Sequence, residues 1–184
     1  MGIVITNTSP LIVLGKIGRL DLIHMLFEGS RIIIPSEVFE EIHTEKIKEK
    51  IRELESLGKL IILPPGIKQC EKEVHHIATE IAMSTIKPDI RQRAPEQHYP
   101  ESYVIHLGLT YKADFVVIDE KEAKTLAKQK GLRCVTHFDI LVRCVENGLL
   151  TKKEGLDSVE NLIKVGNKYP LSKIEHYRHE WESP

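Results

Sequence analysis

The feature that most constrains the fold is a regular alternation of short apolar runs with longer amphipathic segments. The runs are rich in Ile and Val and indicate five strands, at 3–6, 31–35, 59–63, 114–118 and 133–135. Segments in which apolar residues recur at helical spacing separate each run from the next. Parallel neighbours need crossover connections, which these helices supply. The sequence therefore predicts an α/β fold with a doubly wound, five-stranded parallel sheet and helices on both of its faces.

Capping residues and helix stops predict where the helices begin and end. Ser9 is the predicted N-cap, and Pro10 the first residue, of a helix over 10–26. Ser36 is the predicted cap of a short second helix. Further helices are predicted at 45–57, 68–83, 100–111 and 121–130. Two capping-box pairs indicate two more helices towards the C-terminus: Thr151 with Glu154, and Ser172 with Glu175.

Length and composition indicate one domain with one core. The chain has 184 residues, is 41% hydrophobic and carries a net charge of −1. This balance argues against an extended basic coat, so any RNA contact is expected to be local. The apolar runs are too short to span a membrane, and no secretory signal is recognisable. The three cysteines are odd in number, which favours a reducing, cytoplasmic location.

Polar residues gather at one predicted edge of the sheet. Asn7 and Asp119 directly follow the first and fourth strands, so both are expected at the carboxyl edge, where such folds bind ligands. Glu41 and Glu101 lie early in helices that begin at the same edge. Both acids share a helix face with apolar residues, and a carboxylate aimed inward is costly unless it is paired or bound to a metal.

Each of these residues also has a structural interpretation. Asn7 alone is typical of a turn residue that bonds nearby backbone. Asp119 and Glu101 alone can favour a helix N-terminus through its dipole, and Glu41 alone can be a solvated helix acid. Together, three carboxylates and an amide oxygen are hard ligands that suit Mg²⁺ or Mn²⁺. Such a site binds a phosphodiester and makes water more reactive, which indicates phosphodiester hydrolysis.

The predicted site therefore has three groups of residues. Asp119, Glu101 and Glu41 are the predicted catalytic acids, and the same three with Asn7 are the predicted metal ligands. Ser9, Lys121 and Lys124 are the predicted substrate-binding residues. For the two lysines the alternative is a solvated helix face. No phosphate-binding loop or dinucleotide fingerprint is found in the sequence.

An ordered set of motifs resembles a known family. The runs "NTSPLIVLGKIGRLDLI", "IIIPSEVFEEI", "PESYVIHLG" and "FVVIDEKEAKTLAKQKG" are similar to those of PIN-domain nucleases, and more narrowly to VapC-like toxins that open with D/N-[TS]-S-P-L-I. The resemblance implies a PIN-like three-layer sandwich that cleaves single-stranded RNA with Mg²⁺ or Mn²⁺. Asn7, Glu41, Glu101 and Asp119 take the family's four acidic positions. Many members are toxins held inactive by a small antitoxin, and homodimers are common.

The sequence departs from the family pattern in a few places. Asn7 stands where Asp is general, which removes one negative charge and favours a one-metal or weakly active nuclease. Pro100-Glu101 replaces the usual Gly-Glu, and Thr136-His137 replaces the Gly-Thr after the fifth strand. The alternative function is a PIN-fold module that binds RNA or a protein partner without catalysis. A phosphoacceptor receiver domain is excluded because the third strand ends in Leu63-Pro64-Pro65, with no Asp to phosphorylate.

The resemblance also bears on domain organisation. We expect one PIN-like domain over 1–184, with an inserted helix and loop at about 66–98 and a helical C-terminal extension at about 151–184.

Overall fold

The structure is a computed structural model that describes residues 2–64, 70–84, 94–166 and 171–182. The strands in these ranges are β1 (Ile3–Thr6), β2 (Arg31–Ile34), β3 (Ile61–Ile62), β4 (Phe115–Val117) and β5 (Cys134–Val135). The α-helices are α1 (Thr8–Lys16), α2 (Asp21–Leu26), α3 (Ser36–Glu40), α4 (Glu45–Ser56), α5 (Glu71–Ser84), α6 (Tyr99–Thr110), α7 (Lys121–Gln129), α8 (His137–Glu146), α9 (Lys152–Lys164) and α10 (Leu171–Glu182), and a short 3₁₀ helix, Pro95–His98, precedes α6.

The five strands form one sheet in the order β3-β2-β1-β4-β5, and every neighbouring pair is parallel. The predicted five-stranded parallel sheet is therefore confirmed. The chain leaves β1 towards β2 and β3, then crosses back to add β4 and β5 on the other side of β1. The order reverses at β1, so the crevice for a ligand is expected where β1 and β4 end side by side.

Both faces of the sheet are covered. Successive side chains of a strand point to opposite faces, yet Val4, Ile5 and Thr6 of β1 are all fully buried. The three Ile residues of β2 are buried as well. Helix α6 contacts β1 and β4, and α7 contacts β5. This confirms the predicted α/β sandwich and explains why the strands lack a polar side.

The first predicted helix, 10–26, is wrong in two respects. It divides into α1 and α2 at Gly18, whose φ of +71° allows the chain to leave the helix. Asn7 is the N-cap residue of α1, which begins at Thr8, so Ser9 is not the cap and Pro10 is the third helical residue. The reason is that Asn7 still belongs to the strand ladder through its backbone N–H, and the helix starts directly after it.

Other predicted caps have mixed outcomes. The Thr151–Glu154 capping box is confirmed, and the structure shows another between Thr136 and Asp139 at the start of α8. Ser36 is not an N-cap, because Pro35 holds that position and Ser36 is the first residue of α3. The side chain of Ser172 lies outside the described part of the chain, so its capping box stays a prediction.

The segments predicted as insertion and extension pack onto the rest of the chain where they are described. Residues 65–69, 85–93 and 167–170 lie outside the described residues. Helix α5 contacts α6 and α7, and α9 and α10 contact each other. Trp181 of α10 belongs to the main hydrophobic cluster and comes so close to Gly155 that a Cβ there would lie 2.8 Å from its ring. The domain division itself stays a prediction.

Of the three cysteines, Cys70 and Cys144 are buried and Cys134 is half-buried. Over the described ranges, no helix combines the length and apolar character needed to cross a membrane.

Candidate active site

Asn7 lies between β1 and α1, at the carboxyl end of the strand. Its backbone N–H donates to the carbonyl oxygen of Val117 at 2.9 Å, which extends the pairing of β1 with β4. Its side chain is fully buried and makes no capping hydrogen bond to α1. The structure thus differs from the turn-residue interpretation, in which this side chain bonds nearby backbone.

The Asn7 side chain instead joins two carboxylates from distant parts of the chain. Its Nδ2 donates to Glu120 Oε2 at 3.0 Å and to Glu101 Oε1 at 3.4 Å. Glu101 lies in the first turn of α6, and Glu120 is the N-cap residue of α7. Carboxylates that carry charge only accept hydrogen bonds, so the NH₂ end of the amide has to face them. Asn7 therefore holds two acids close together at the predicted edge of the sheet.

Glu41 reaches the same edge from the other side. It follows α3 as that helix's C-cap residue, and its Oε2 accepts a hydrogen bond from the Thr8 hydroxyl. Thr8 is the residue next to Asn7, so Glu41 is tied to the start of α1. Burial is the main cause of the raised pKa values of Glu101 and Glu120, and the negative charge of Glu41 adds a smaller contribution to both.

Burial makes this cluster unfavourable for negative charge. Burial, together with the charge of the nearby Glu120 carboxylate, raises the pKa of Glu101 to about 7. The pKa of Glu120 is also raised, chiefly by burial and then by the charge of Asp119. Buried like charges raise one another's pKa unless a cation balances them. The site is therefore suited to bind positive charge.

Two oxygens of the cluster lack hydrogen-bond partners. Asn7 Oδ1 and Glu101 Oε2 are both buried, and neither has a partner among the described residues. Unsatisfied buried oxygens of this kind cost free energy and are unusual in native proteins. Carboxylate and amide oxygens are hard donors, so this donor set fits Mg²⁺ or Mn²⁺ in kind. As arranged, no three Asp, Glu, His or Cys side chains of the described ranges form a group that could hold a metal ion.

Asp119 lies at the same edge but has other partners. Its Oδ1 accepts the backbone N–H of His137 at 3.0 Å, and its Oδ2 lies 2.6 Å from His137 Nδ1. His137 is the first residue of α8, and its side chain is only 3% exposed. Asp119 thus joins the end of β4 to α8, and it makes no hydrogen bond to Asn7.

Glu120 is the residue that sequence reasoning missed. The sequence assigned the acidic position after the fourth strand to Asp119, whereas Glu120 is the residue in contact with Asn7. Thr6 pairs with Val117 in the sheet, which sets Asn7 level with Ile118. Because side chains alternate between faces, Glu120, two residues on, returns to the side of Asn7 while Asp119 points away. Side-chain alternation distinguishes Glu120 from Asp119 only when the register of β1 against β4 is known, so the sequence alone did not carry this signal.

A cleft of about 420 Å³ opens above the cluster. Its lining consists of Thr8, Ser9, Ile12, Val13, Lys16, Glu41, His43, Glu101 and Glu120. Ser9, a predicted substrate-binding residue, therefore borders the cleft. Lys121 and Lys124 lie on α7 and are absent from this lining, so the structure does not bring them to the cluster.

Comparison with known proteins identifies the family of the chain. No curated protein matches the chain. The family model DUF3368, described as a PIN domain, matches residues 3–182, a range that includes the whole sheet and all the acidic residues around the cleft. One family thus accounts both for the resemblance in the motifs and for the parallel sheet. The chain belongs to the PIN-domain family, whose fold is that of nucleases acting on nucleic acid.

Proposed function

We propose that this protein is a divalent-metal-dependent endoribonuclease that hydrolyses phosphodiester bonds of single-stranded RNA. The observation that carries the proposal is the buried cluster at the carboxyl edge: Glu101 and Glu120 bonded to Asn7, with two oxygens left without partners. Membership of the PIN-domain family supports nuclease chemistry. The opening "NTSPLI" supports the narrower proposal of a cytoplasmic, VapC-like toxin that forms homodimers and is restrained by a small antitoxin.

The proposed ion is Mg²⁺ or Mn²⁺, which Glu101, Glu120, Glu41 and Asn7 Oδ1 would hold. Because no three carboxylates of the described ranges form a ready metal group as arranged, these side chains would have to move closer together to bind it. When bound, it supplies positive charge that attracts the phosphodiester and makes water more acidic. The chain's own residues prepare this site. Asn7 keeps Glu101 and Glu120 together, and the Thr8 hydroxyl orients Glu41.

Asp119 was the fourth acidic residue in the sequence-based prediction. Its contacts with His137 favour a positioning role, in which it fixes the backbone that carries Glu120. We therefore assign the fourth ligand to Glu120 in this proposal and treat Asp119 as its support.

A second function is favoured by the same amide. Asn7 donates to both carboxylates and so already supplies part of the neutralisation that a cation would give. The alternative is therefore a catalytically weak or inactive PIN-fold module that binds RNA or a protein partner.

The deciding experiment is cleavage of a labelled single-stranded RNA by the full chain with Mg²⁺, with Mn²⁺ or with EDTA. We expect cleavage only with metal, loss of cleavage in Glu101→Gln, and unchanged cleavage in Glu49→Gln, an exposed acid on α4. If the wild-type chain binds RNA and leaves it intact under every condition, the binding-module alternative is correct.

A further inference from the structure

The cleft above the acidic cluster continues along α1 as far as Lys16, and the proposed chemistry does not use this second part. Thr8, Ile12 and Lys16 follow one another at four-residue spacing along α1 and all line the cleft, so they form one stripe on the helix. Thr8 lies at the level of the acids through its bond to Glu41. Lys16 lies eight residues further on, about 12 Å along the helix axis. The cleft therefore extends well beyond the space needed for one phosphate group.

Lys16 is placed to bind an anion in this second part of the cleft. It is exposed, and its side chain leans back towards the helix N-terminus, over the cleft. No ion pair joins it to Glu41, Glu101, Glu120 or any other acid in the described ranges. A lysine that shares a cleft with three carboxylates but pairs with none has its ammonium group available to contact a ligand.

The cleft wall between the acidic cluster and Lys16 is apolar. Ile12 and Val13 line the cleft between Thr8 and Lys16, and both are only partly buried against the core. A polyanion is repelled by the acidic end unless cations offset the repulsion. A strand of RNA alternates phosphates with ribose and base surfaces that are partly apolar. The cleft offers groups in the same order: the acidic metal site for one phosphate, the apolar side chains of Ile12 and Val13 for the nucleoside, and Lys16 for the next phosphate.

We propose that Lys16 binds the phosphate next to the scissile one and that Ile12 and Val13 contact the nucleotide between them. The inference rests on the proposed function and adds where the RNA strand lies in the cleft, that is, which of its phosphates each end of the cleft binds. The cleft takes a segment with at least two consecutive phosphates, anchored at its two ends by the metal site and by Lys16.

The test is binding of a fluorescent hexauridylate to the full chain, measured by anisotropy in Ca²⁺ over a series of salt concentrations, with a gel to show that the probe stays intact. We expect Lys16→Gln to weaken binding about fivefold near physiological salt and to reduce the salt slope by about 0.7, the value for one phosphate contact on a single strand. Lys16→Arg should restore the slope. Lys153→Gln, which removes an exposed lysine on α9, is the matched control and should leave both quantities unchanged.

A second set of probes tests the position. In each probe one phosphate is replaced by a neutral methylphosphonate. We expect wild type to lose affinity at the linkage that Lys16 binds, and Lys16→Gln to be insensitive at that linkage alone.

Three outcomes overturn the inference in different ways. If Lys16→Gln matches Lys153→Gln in a chain that binds and cleaves RNA, this inference is wrong and the proposed function stands. If Lys16→Gln lowers the affinity for every methylphosphonate probe by the same factor, Lys16 acts as a general positive charge and the assignment of one phosphate to it is wrong. If the wild-type chain does not bind RNA at all, the inference and the proposed function both fail.

Discussion

Asp119 and Glu120 are neighbours in the chain, yet their carboxylates have opposite surroundings. Asp119 accepts a backbone N–H and lies against an imidazole, both from His137. Glu120 accepts only the Asn7 amide among the described side chains, and burial raises its pKa. The first carboxylate is satisfied by the fold, whereas the second is held in a place where charge is costly. Strain of the second kind is typical of functional sites.

The same contrast separates the two ends of Asn7. Its Nδ2 has two acceptors, while its Oδ1 has no partner in the described ranges. A fold that optimised only stability would satisfy both ends. The difference indicates that a ligand completes this part of the site.

The largest expected effect is on activity. Glu120→Gln should reduce kcat/KM for RNA cleavage at least about 1,000-fold, because it removes a carboxylate oxygen at the site where charge develops. Asp119→Asn should reduce it only about tenfold, as expected for a residue that acts through its neighbour. Steady-state cleavage with saturating Mg²⁺ measures both, with Glu49→Gln as the neutral control. A larger loss in Asp119→Asn than in Glu120→Gln would restore the sequence-based assignment.

The pH dependence of stability should come next. In the metal-free protein the pKa of Glu101 is about 7, above its ordinary value of 4.5, so the folded state binds more protons between these values. The free energy of unfolding should therefore fall as pH rises from 4.5 to 7, by up to about 3 kcal/mol, and this contribution should be constant above and below that window. Glu120 should add to the fall with the same sign.

Urea denaturation in EDTA at pH 5 and pH 8 measures this change. The matched comparison is Glu101→Gln, which should show a smaller difference between the two pH values than wild type. Equal differences in the two proteins would mean that Glu101 does not titrate in this range.

Asn7→Asp should make the stability of the protein depend more strongly on bound metal. Without metal we expect a loss of about 2 kcal/mol in the free energy of unfolding at pH 8, because a third carboxylate replaces the amide that bonds Glu101 and Glu120. With Mg²⁺ the variant should regain stability and bind the ion more tightly than wild type. Thermal unfolding with and without Mg²⁺, together with calorimetric titration, checks this. An unchanged Mg²⁺ affinity would remove Asn7 from the ligand set.

The smallest expected effect concerns Asp119, whose carboxylate already has hydrogen-bond partners in the fold. Asp119→Asn should lower the free energy of unfolding by about 1.5 kcal/mol, the range for a hydrogen bond to a charged group, and metal should not restore it. Urea denaturation in EDTA and in Mg²⁺ measures both values. Recovery of stability with Mg²⁺ would place Asp119 among the ligands instead.

The strands were predictable from sequence because a strand buried on both faces leaves an unbroken apolar run. The run 31–35 gave β2 within one residue. The run 59–63 gave a β3 of only two residues, because an edge strand pairs on one side and its ends have no ladder to hold them. The division of the first helix at Gly18 was missed because helical spacing continues through 10–26 on both sides of the turn.

The candidate site was predictable in part for a similar reason. Asn7, Glu41 and Glu101 were placed at one edge from strand ends and helix starts alone, and the structure brings all three to the cluster. The choice between Asp119 and Glu120 was not predictable, because both follow the same strand and both are acids. Lys121 and Lys124 looked favourable by proximity in sequence, but α7 carries them away from the cleft lining.

The sequence by itself determined the alternation of strands and helices, and with it the edge where polar residues meet, because local apolar patterns set secondary structure and short crossovers set parallel pairing. Only the tertiary structure decided which of two adjacent carboxylates faces Asn7. That choice depends on the register of β1 with β4, a contact between segments more than one hundred residues apart, and a shift of one residue would turn every side chain to the other face.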